Sequence, residues 1–262
     1  MPELPDVETL ARMLHRRVRG KRIRRVRLLT PSTVRSPDPA AFRRRLQGRR
    51  IAAVTRRGKY LLIELSGELT LAVHLRMTGD FDIARADTSV HRHTRVIFTL
   101  DGVELRFTDL RRFGHMDLLT PAQRERFRGL RRLGIEPLDT AFSLPRFREL
   151  VTTRRLALKA LLLRQDLIAG IGNLYADEIL WQARLHPARA TDTLQLRQIA
   201  LLHRTIRRVL DRAVRHLSRY RRPIGVFLDA RERNGHCPRG HGPLRIARIA
   251  GRTTYFCPRC QR

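Results

Sequence analysis

At 262 residues the chain is long enough for two domains that bury their own cores without disulfide help. Lys and Arg number 55 against 24 Asp and Glu, a formal net charge of +31, so the expected partner is a polyanion, nucleic acid before an acidic protein or a membrane surface. No apolar run reaches membrane-spanning length and the acidic start is unlike a signal peptide, so a cytoplasmic, nucleoid-associated location is expected.

The chain opens Met1-Pro2-Glu3-Leu4-Pro5-Asp6-Val7-Glu8. Removal of an initiator Met before a small residue would leave Pro2 with a free secondary amine. A terminal amine titrates near ~8 and a lysine near ~10.4, so more of the former is unprotonated and nucleophilic at neutral pH. Glu3 stands next to it as a candidate general acid or base. Pro5 and Asp6 suit a first helical turn, and Val7, Leu10, Ala11, Leu14 and Val18 continue one apolar face. The plain alternative is that Pro2 and Glu3 merely start a capped helix.

Beyond Gly20, residues 23–29, 50–55, 60–65, 69–75, 81–84, 94–100, 103–108 and 115–119 read as short strands. Turn signals separate them at Pro37-Asp38-Pro39, Arg57-Gly58, Ser66-Gly67, Thr78-Gly79 and Asp101-Gly102. That spacing predicts a β-sandwich ending near Leu133-Gly134. From residue 144 the apolar period becomes helical, over 146–151, 156–164, 174–183 and 194–220. Between the second and third helices, Asp166 to Asn173 forms a glycine-containing turn. It is either an ordinary helix connection or a set of helix-start amides able to hold a phosphate.

The last segment carries all three cysteines: Cys237-Pro238-Arg239-Gly240-His241, fifteen residues, then Cys257-Pro258-Arg259-Cys260. Strand-like residues 244–249 and 253–256 lie between, joined at Ala250-Gly251. The spacing predicts a hairpin holding one structural Zn2+ through Cys237, His241, Cys257 and Cys260, against the alternative of a metal-free hairpin with a reduced Cys pair. Only three of the basic residues are lysine, Lys21, Lys59 and Lys159. Under so strong an arginine bias, each weakly marks a place where a compact ammonium is wanted.

PELPDVET at the start, RRGKYLL around Lys59, HLRMTG at 74–79, DLRRFG at 109–114, AGIGNLYADE at 169–178 and the cysteine hairpin occur here in order. With these the chain resembles the formamidopyrimidine-DNA glycosylase and endonuclease VIII family of base-excision repair enzymes over essentially its whole length. The resemblance implies an α+β architecture: an N-terminal β-sandwich with an N-terminal helix (1–133), a helix-two-turn-helix domain (134–222) and a zinc-finger hairpin (223–262), with damaged double-stranded DNA held between the lobes of a monomer. It implies a bifunctional glycosylase and AP lyase in which Pro2 attacks C1′, forms a Schiff base and cleaves by β and δ elimination, with Glu3 moving protons. Lys59, His74, Asn173 and Arg252 match the phosphate-gripping set, and Lys59 is counted with Pro2 and Glu3 among the catalytic residues. Met77, Arg111 and Phe113 match residues that fill the gap left by the everted base, and apolar wedges of this kind offset the cost of unstacking. Lys159 and Glu178 match positions near the active site, Lys159 among the DNA-binding residues.

Three departures stand out. Gly240 takes the place of a cysteine, leaving His241 as its substitute; Asp6 replaces a glutamate; and residues 216–234 lack the glycine- and threonine-rich loop of oxidised-guanine members. An oxidised purine is the expected lesion, with oxidised pyrimidines or abasic sites second. A catalytically silent damaged-DNA binder and a zinc-ribbon nucleic-acid scaffold are the other readings.

Overall fold

The computed structural model describes residues 1–220 and 225–262. The chain divides into two compact units, residues 6–131 with Met1 and Pro2, and residues 132–262 with Glu3 to Pro5. The expected boundary between 222 and 223, and residues 221–224 of the segment 216–234, lie outside the described residues.

In the first unit α1 (Leu4–Val18) buries Val7, Leu10, Ala11, Leu14 and Val18, the stripe that a 3.6-residue period lays along one face. Its last turn carries His15, Arg16 and Arg17, where the negative end of the helix favours cations. There follow β1 (Ile23–Leu28), β2 (Val34–Ser36), α2 (Pro39–Leu46), β3 (Ile51–Arg57), β4 (Tyr60–Leu65), β5 (Leu69–His74), β6 (Gly79–Ala84), β7 (Thr94–Leu100), β8 (Glu104–Asp109), β9 (His115–Leu119), α3 (Pro121–Arg126) and α4 (Arg128–Arg131). The strands form one sheet of order β1-β7-β8-β6 and another of order β2-β9-β5-β4-β3. Val26, Val96 and Phe98 of the first sheet share a core with Leu61, Ile63, Leu71 and Val73 of the second and with Val7 and Leu14 of α1. Buried Leu62 and Ala72 point to the opposite face of the second sheet, where Phe127 and Leu130 cover them. That is why β4 reads as a nearly continuous apolar run rather than an alternating one.

Two details differ from the sequence reading. Pro37-Asp38-Pro39 opens α2 rather than only turning the chain: the Asp38 carboxylate accepts from the Ala40 and Ala41 amides and Pro39 takes the first helical position. Gly79 of Thr78-Gly79 already belongs to β6, paired with Asp109. A Cβ there would press on the Leu75 backbone, so the close approach requires glycine.

The second unit contains α5 (Leu144–Thr152), α6 (Leu158–Leu163), α7 (Asn173–Gln182), α8 (Leu196–Tyr220), β10 (Arg245–Ile249) and β11 (Arg252–Phe256). Phe142, Phe147, Leu161, Ile171, Tyr175, Ile179, Leu202, Ile206 and Leu210 form its core, joined by Leu4 from the start of the chain. The hairpin of β10 and β11 turns at Ala250 (φ 51°) and Gly251 (φ 71°), two left-handed residues whose twist matches antiparallel strands. Among the described residues no helix is long and apolar enough to cross a membrane.

Candidate functional site

Within the second unit, Glu3 is 1% exposed and its carboxylate is fully engaged. It accepts hydrogen bonds from the backbone N–H groups of Gly172 (2.8 Å), Leu174 (2.9 Å) and Tyr175 (3.2 Å), the orphan donors at the head of α7. The same amides that the glycine turn offered to a phosphate are therefore taken by a side chain of this chain. Leu4 N–H adds a bond to the Gly170 carbonyl at 2.9 Å. Gly170 has φ +89°, and a Cβ on Gly172 would collide with the Glu3 carboxyl, so the turn is shaped to admit this one acid. Pro2, the preceding residue, is partly buried.

In the first unit β5 and β9 are antiparallel neighbours with His74 opposite His115. Their rings stack at 5.5 Å between centroids and 11° between planes, and Tyr60 sets its edge against His74 at 4.8 Å. Burial pulls the His74 imidazole down to about 3, helped by Arg76, His115, Lys59 and Arg35. Burial likewise pulls His115 to about 4, with Arg35 and Arg76 adding to it. Both are neutral at pH 7. His74 Nδ1 accepts the Arg76 N–H at 3.0 Å, which fixes the tautomer and leaves Nε2–H as a donor.

The loops that leave these two strands carry the expected gap-filling residues. Met77 is 38% exposed and Phe113 52%, and the Arg111 guanidinium lies 4.8 Å over the Phe113 ring. Asp109, 1% exposed, ties the two loops together: it bonds Thr78 Oγ1 and accepts from the N–H groups of Arg111 (3.2 Å) and Gly114 (2.7 Å). Thr78 Oγ1 also accepts from Arg111 N–H at 3.0 Å. Asp109, Thr78 and His115 escaped the sequence reading. Asp109 and Thr78 lie inside the DLRRFG and HLRMTG stretches, but their role needs the pairing of Gly79 with Asp109. Lys59, partly buried, sits in the turn between β3 and β4.

In the second unit Asn173 Nδ2 donates to the Thr253 carbonyl at 3.1 Å, while its buried Oδ1 has no partner among the described residues. Arg252, beside Thr253 at the start of β11, is exposed. Lys159 reaches the same Thr253 carbonyl, at 3.3 Å. It is 0% exposed, with Nζ 2.6 Å from Asp177 Oδ1 and 2.7 Å from Thr254 Oγ1, and Asp177 Oδ2 takes the Arg231 guanidinium at 2.8 Å. Burial lowers its pKa, opposed by the Asp177 carboxylate. Enclosed there, the ammonium is an internal strut between α6, α7 and β11. Glu178 is likewise internal: its carboxylate accepts from the N–H groups of Phe227 (2.9 Å) and Leu228 (3.1 Å), and burial raises its pKa.

The donor atoms of Cys237, His241, Cys257 and Cys260 all lie within 4.8 Å of one another. Cys237 Sγ is 3.7 Å from His241 Nδ1 and 3.8 Å from Cys260 Sγ. Zinc bonds of about 2.3 Å to sulfur and about 2.0 Å to nitrogen give tetrahedral edges of roughly 3.5 to 3.8 Å, so the set fits a four-coordinate ion. Trp181 Nε1–H points at Cys237 Sγ (3.4 Å) and Arg239 Nη1 at Cys260 Sγ (3.5 Å), donors suited to thiolates.

The formamidopyrimidine-DNA glycosylase N-terminal domain matches residues 1–116, and the H2TH domain of the same enzymes matches residues 133–221. The formamidopyrimidine-DNA glycosylase of Symbiobacterium thermophilum is 45% identical over 100% of this chain and 89% of its own length. A Lactococcus lactis FPG mutant in complex with Fapy-dG containing DNA superposes with TM-score 0.90 at 32% identity, covering 100% of both chains. A second mutant, in which a cysteine gives way to Gly-His, was solved with a THF containing DNA and matches with TM-score 0.90 at 33% identity over 100% of both chains. With both domain models matched in order and the whole length shared with such relatives, the chain belongs to the formamidopyrimidine-DNA glycosylase family.

Proposed function

We infer that the chain is a bifunctional DNA glycosylase and AP lyase that removes oxidised purines from duplex DNA. The seat of Glu3 carries this reading: three amides fix its carboxylate, so Pro2 is presented from an anchored residue with an acid as its neighbour. Once Met1 is removed, the Pro2 nitrogen attacks C1′ of the damaged nucleotide, and the bond to the base breaks with its electron pair leaving on the base. The nitrogen gives up its proton, the sugar ring opens with its oxygen protonated, and a C1′ iminium results. That electron sink acidifies C2′; loss of its proton expels the 3′ phosphate, and a second elimination expels the 5′ phosphate. Glu3 carries protons in these steps.

Lys59, His74 as a neutral Nε2–H donor, Asn173 and Arg252 hold phosphates in this scheme. Met77, Arg111 and Phe113 enter the gap left by the everted base. The three sequence segments 1–133, 134–222 and 223–262 serve as catalytic, DNA-binding and zinc modules, and the chain acts as a monomer at the nucleoid. We assign one Zn2+ to Cys237, His241, Cys257 and Cys260. Gly240-His241 is the pair that the Lactococcus mutant carries in place of a cysteine. A closed four-ligand site holds the hairpin and supplies no reaction chemistry.

Borohydride trapping on duplexes bearing 8-oxoguanine, 5,6-dihydrouracil or an abasic site tests the reading. A covalent adduct is expected with 8-oxoguanine and the abasic site, and none after the terminal amine is acetylated. Adduct formation with the abasic duplex alone would remove base excision; undiminished trapping by the acetylated protein would remove Pro2.

A further inference from the structure

The Thr253 carbonyl, one residue past Arg252 in β11, collects three donors. Asn173 Nδ2 reaches it at 3.1 Å, Arg231 Nη2 at 3.2 Å and Lys159 Nζ at 3.3 Å. A carbonyl oxygen has two lone pairs, so three donors saturate it and hold the peptide from several sides. The carbonyl of Arg252 is tied as well: Thr254 Oγ1 donates to it at 3.0 Å and accepts from the Lys159 ammonium at 2.7 Å. These ties matter because Arg252 follows directly on the Ala250-Gly251 turn, and β10, its partner across that turn, buries no residue. Arg231 spans the set most widely. Its Nε lies 2.8 Å from Asp177 Oδ2, its Nη2 donates to Thr253, and its guanidinium lies 4.7 Å over the Tyr255 ring. A planar fork can serve a carboxylate, a carbonyl and a ring face together, which a lysine ammonium cannot.

We propose that Arg231 is a positioning residue for DNA binding: by fastening the Thr253 carbonyl to Asp177 of α7 it sets Arg252 in register with Asn173, at the head of the same helix, so that both meet the DNA backbone already aligned. The proposal rests on the phosphate-gripping reading of Arg252 and Asn173. Asn173 donates directly to the Thr253 carbonyl, so the two residues are joined through one peptide group. Arg231 braces that group from the side of Asp177 and Tyr255. A hairpin end fixed beforehand binds without first being ordered, and that lowers the entropic cost of association.

The test measures binding of the whole chain, with Met1 removed, to a duplex carrying a tetrahydrofuran abasic analogue, on which no Schiff base can form. Fluorescence anisotropy at fixed salt gives Kd. The variants are Arg231→Lys, which keeps the charge and loses the planar fork, and Arg231→Met, which loses both, each alone and combined with Arg252→Ala. Either single variant is expected to raise Kd about fivefold, the worth of one hydrogen bond. Combined with Arg252→Ala, neither should weaken binding beyond Arg252→Ala alone, since a positioning residue has nothing left to position. An Arg231→Lys variant that binds as tightly as the parent would overturn the proposal, because charge alone would then suffice. The same fivefold loss on top of Arg252→Ala would also overturn it, since Arg231 would then act through its own contact or through general damage to the fold. Arg252→Ala binding like the parent would instead remove the phosphate reading of Arg252, and the proposal with it.

Discussion

Two buried polar clusters in this chain reach opposite solutions to the same problem. In the second unit Lys159 and Asp177 are both fully enclosed and remain an ion pair, with Arg231, Thr254 and the Thr253 carbonyl completing the set. In the first unit His74 and His115 have cationic neighbours in Arg35 and Arg76, and they stay neutral. A lysine taken out of water keeps its charge only beside a carboxylate of good geometry, whereas an imidazole simply declines the proton. The paired cluster is therefore a strut that fails when one member is removed. The neutral cluster is sensitive to acid.

The comparison can be broken most severely at the proposed metal site. The strut takes two of its acceptors, the Thr253 carbonyl and Thr254 Oγ1, from the hairpin that Cys237, His241, Cys257 and Cys260 close. Structural zinc contributes on the order of 10 kcal/mol to small hairpin domains. Chelation should abolish hairpin protection in amide hydrogen exchange and lower the melting temperature of the second unit, and His241→Ala should bring zinc stoichiometry below one per chain. Unchanged exchange in chelator would show that the hairpin stands without metal.

Next in size is Asp177→Asn, which leaves the Lys159 ammonium buried without its carboxylate and should cost about 3–5 kcal/mol in denaturant unfolding. The double variant Lys159→Met, Asp177→Asn should regain most of that loss. If the single variant is neutral, Lys159 is not charged in its pocket.

The neutral cluster predicts a smaller effect with the opposite handle. In the unfolded chain both histidines bind protons near pH 6.5, but when folded they refuse them until about 3 for His74 and about 4 for His115. Their contribution is complete above pH 6.5 and lost as pH falls below it, because the unfolded state then binds more protons. Denaturant titrations between pH 7 and 4 should show this decline, shallower in His115→Phe; identical slopes in parent and variant would contradict the neutral stack. Smallest should be the effect of Lys59 and Arg252. Lys59→Ala and Arg252→Ala should each reduce the salt slope of DNA binding by about one unit. A slope that does not move would mean that those side chains do not reach the backbone of the DNA.

Much of this was legible beforehand in particular places. The apolar stripe of α1, the sandwich strands and the 3.6-residue period beyond residue 144 are local patterns, and all reappear as elements. So does the hairpin turn, since two left-handed positions at Ala250-Gly251 suit few other connections. The three-residue β2 escaped because its parallel partner β9 lies far along the chain, and so short a strand has no period to read. The helix α2 was hidden behind two prolines whose helix-starting meaning depends on the Asp38 cap.

The site divides in the same way. Sequence by itself determined the Pro2-Glu3 start, the Cys and His residues that cluster in the hairpin, the positive charge and the motif positions, because each is a matter of residue type and near spacing. Only the tertiary structure decided that Glu3 caps a helix 169 residues away, that Lys159 turns inward to Asp177, and that His115 stacks on His74. Burial, protonation and hydrogen-bond partners depend on every group within a few ångströms, and folding gathers those groups from distant parts of the chain.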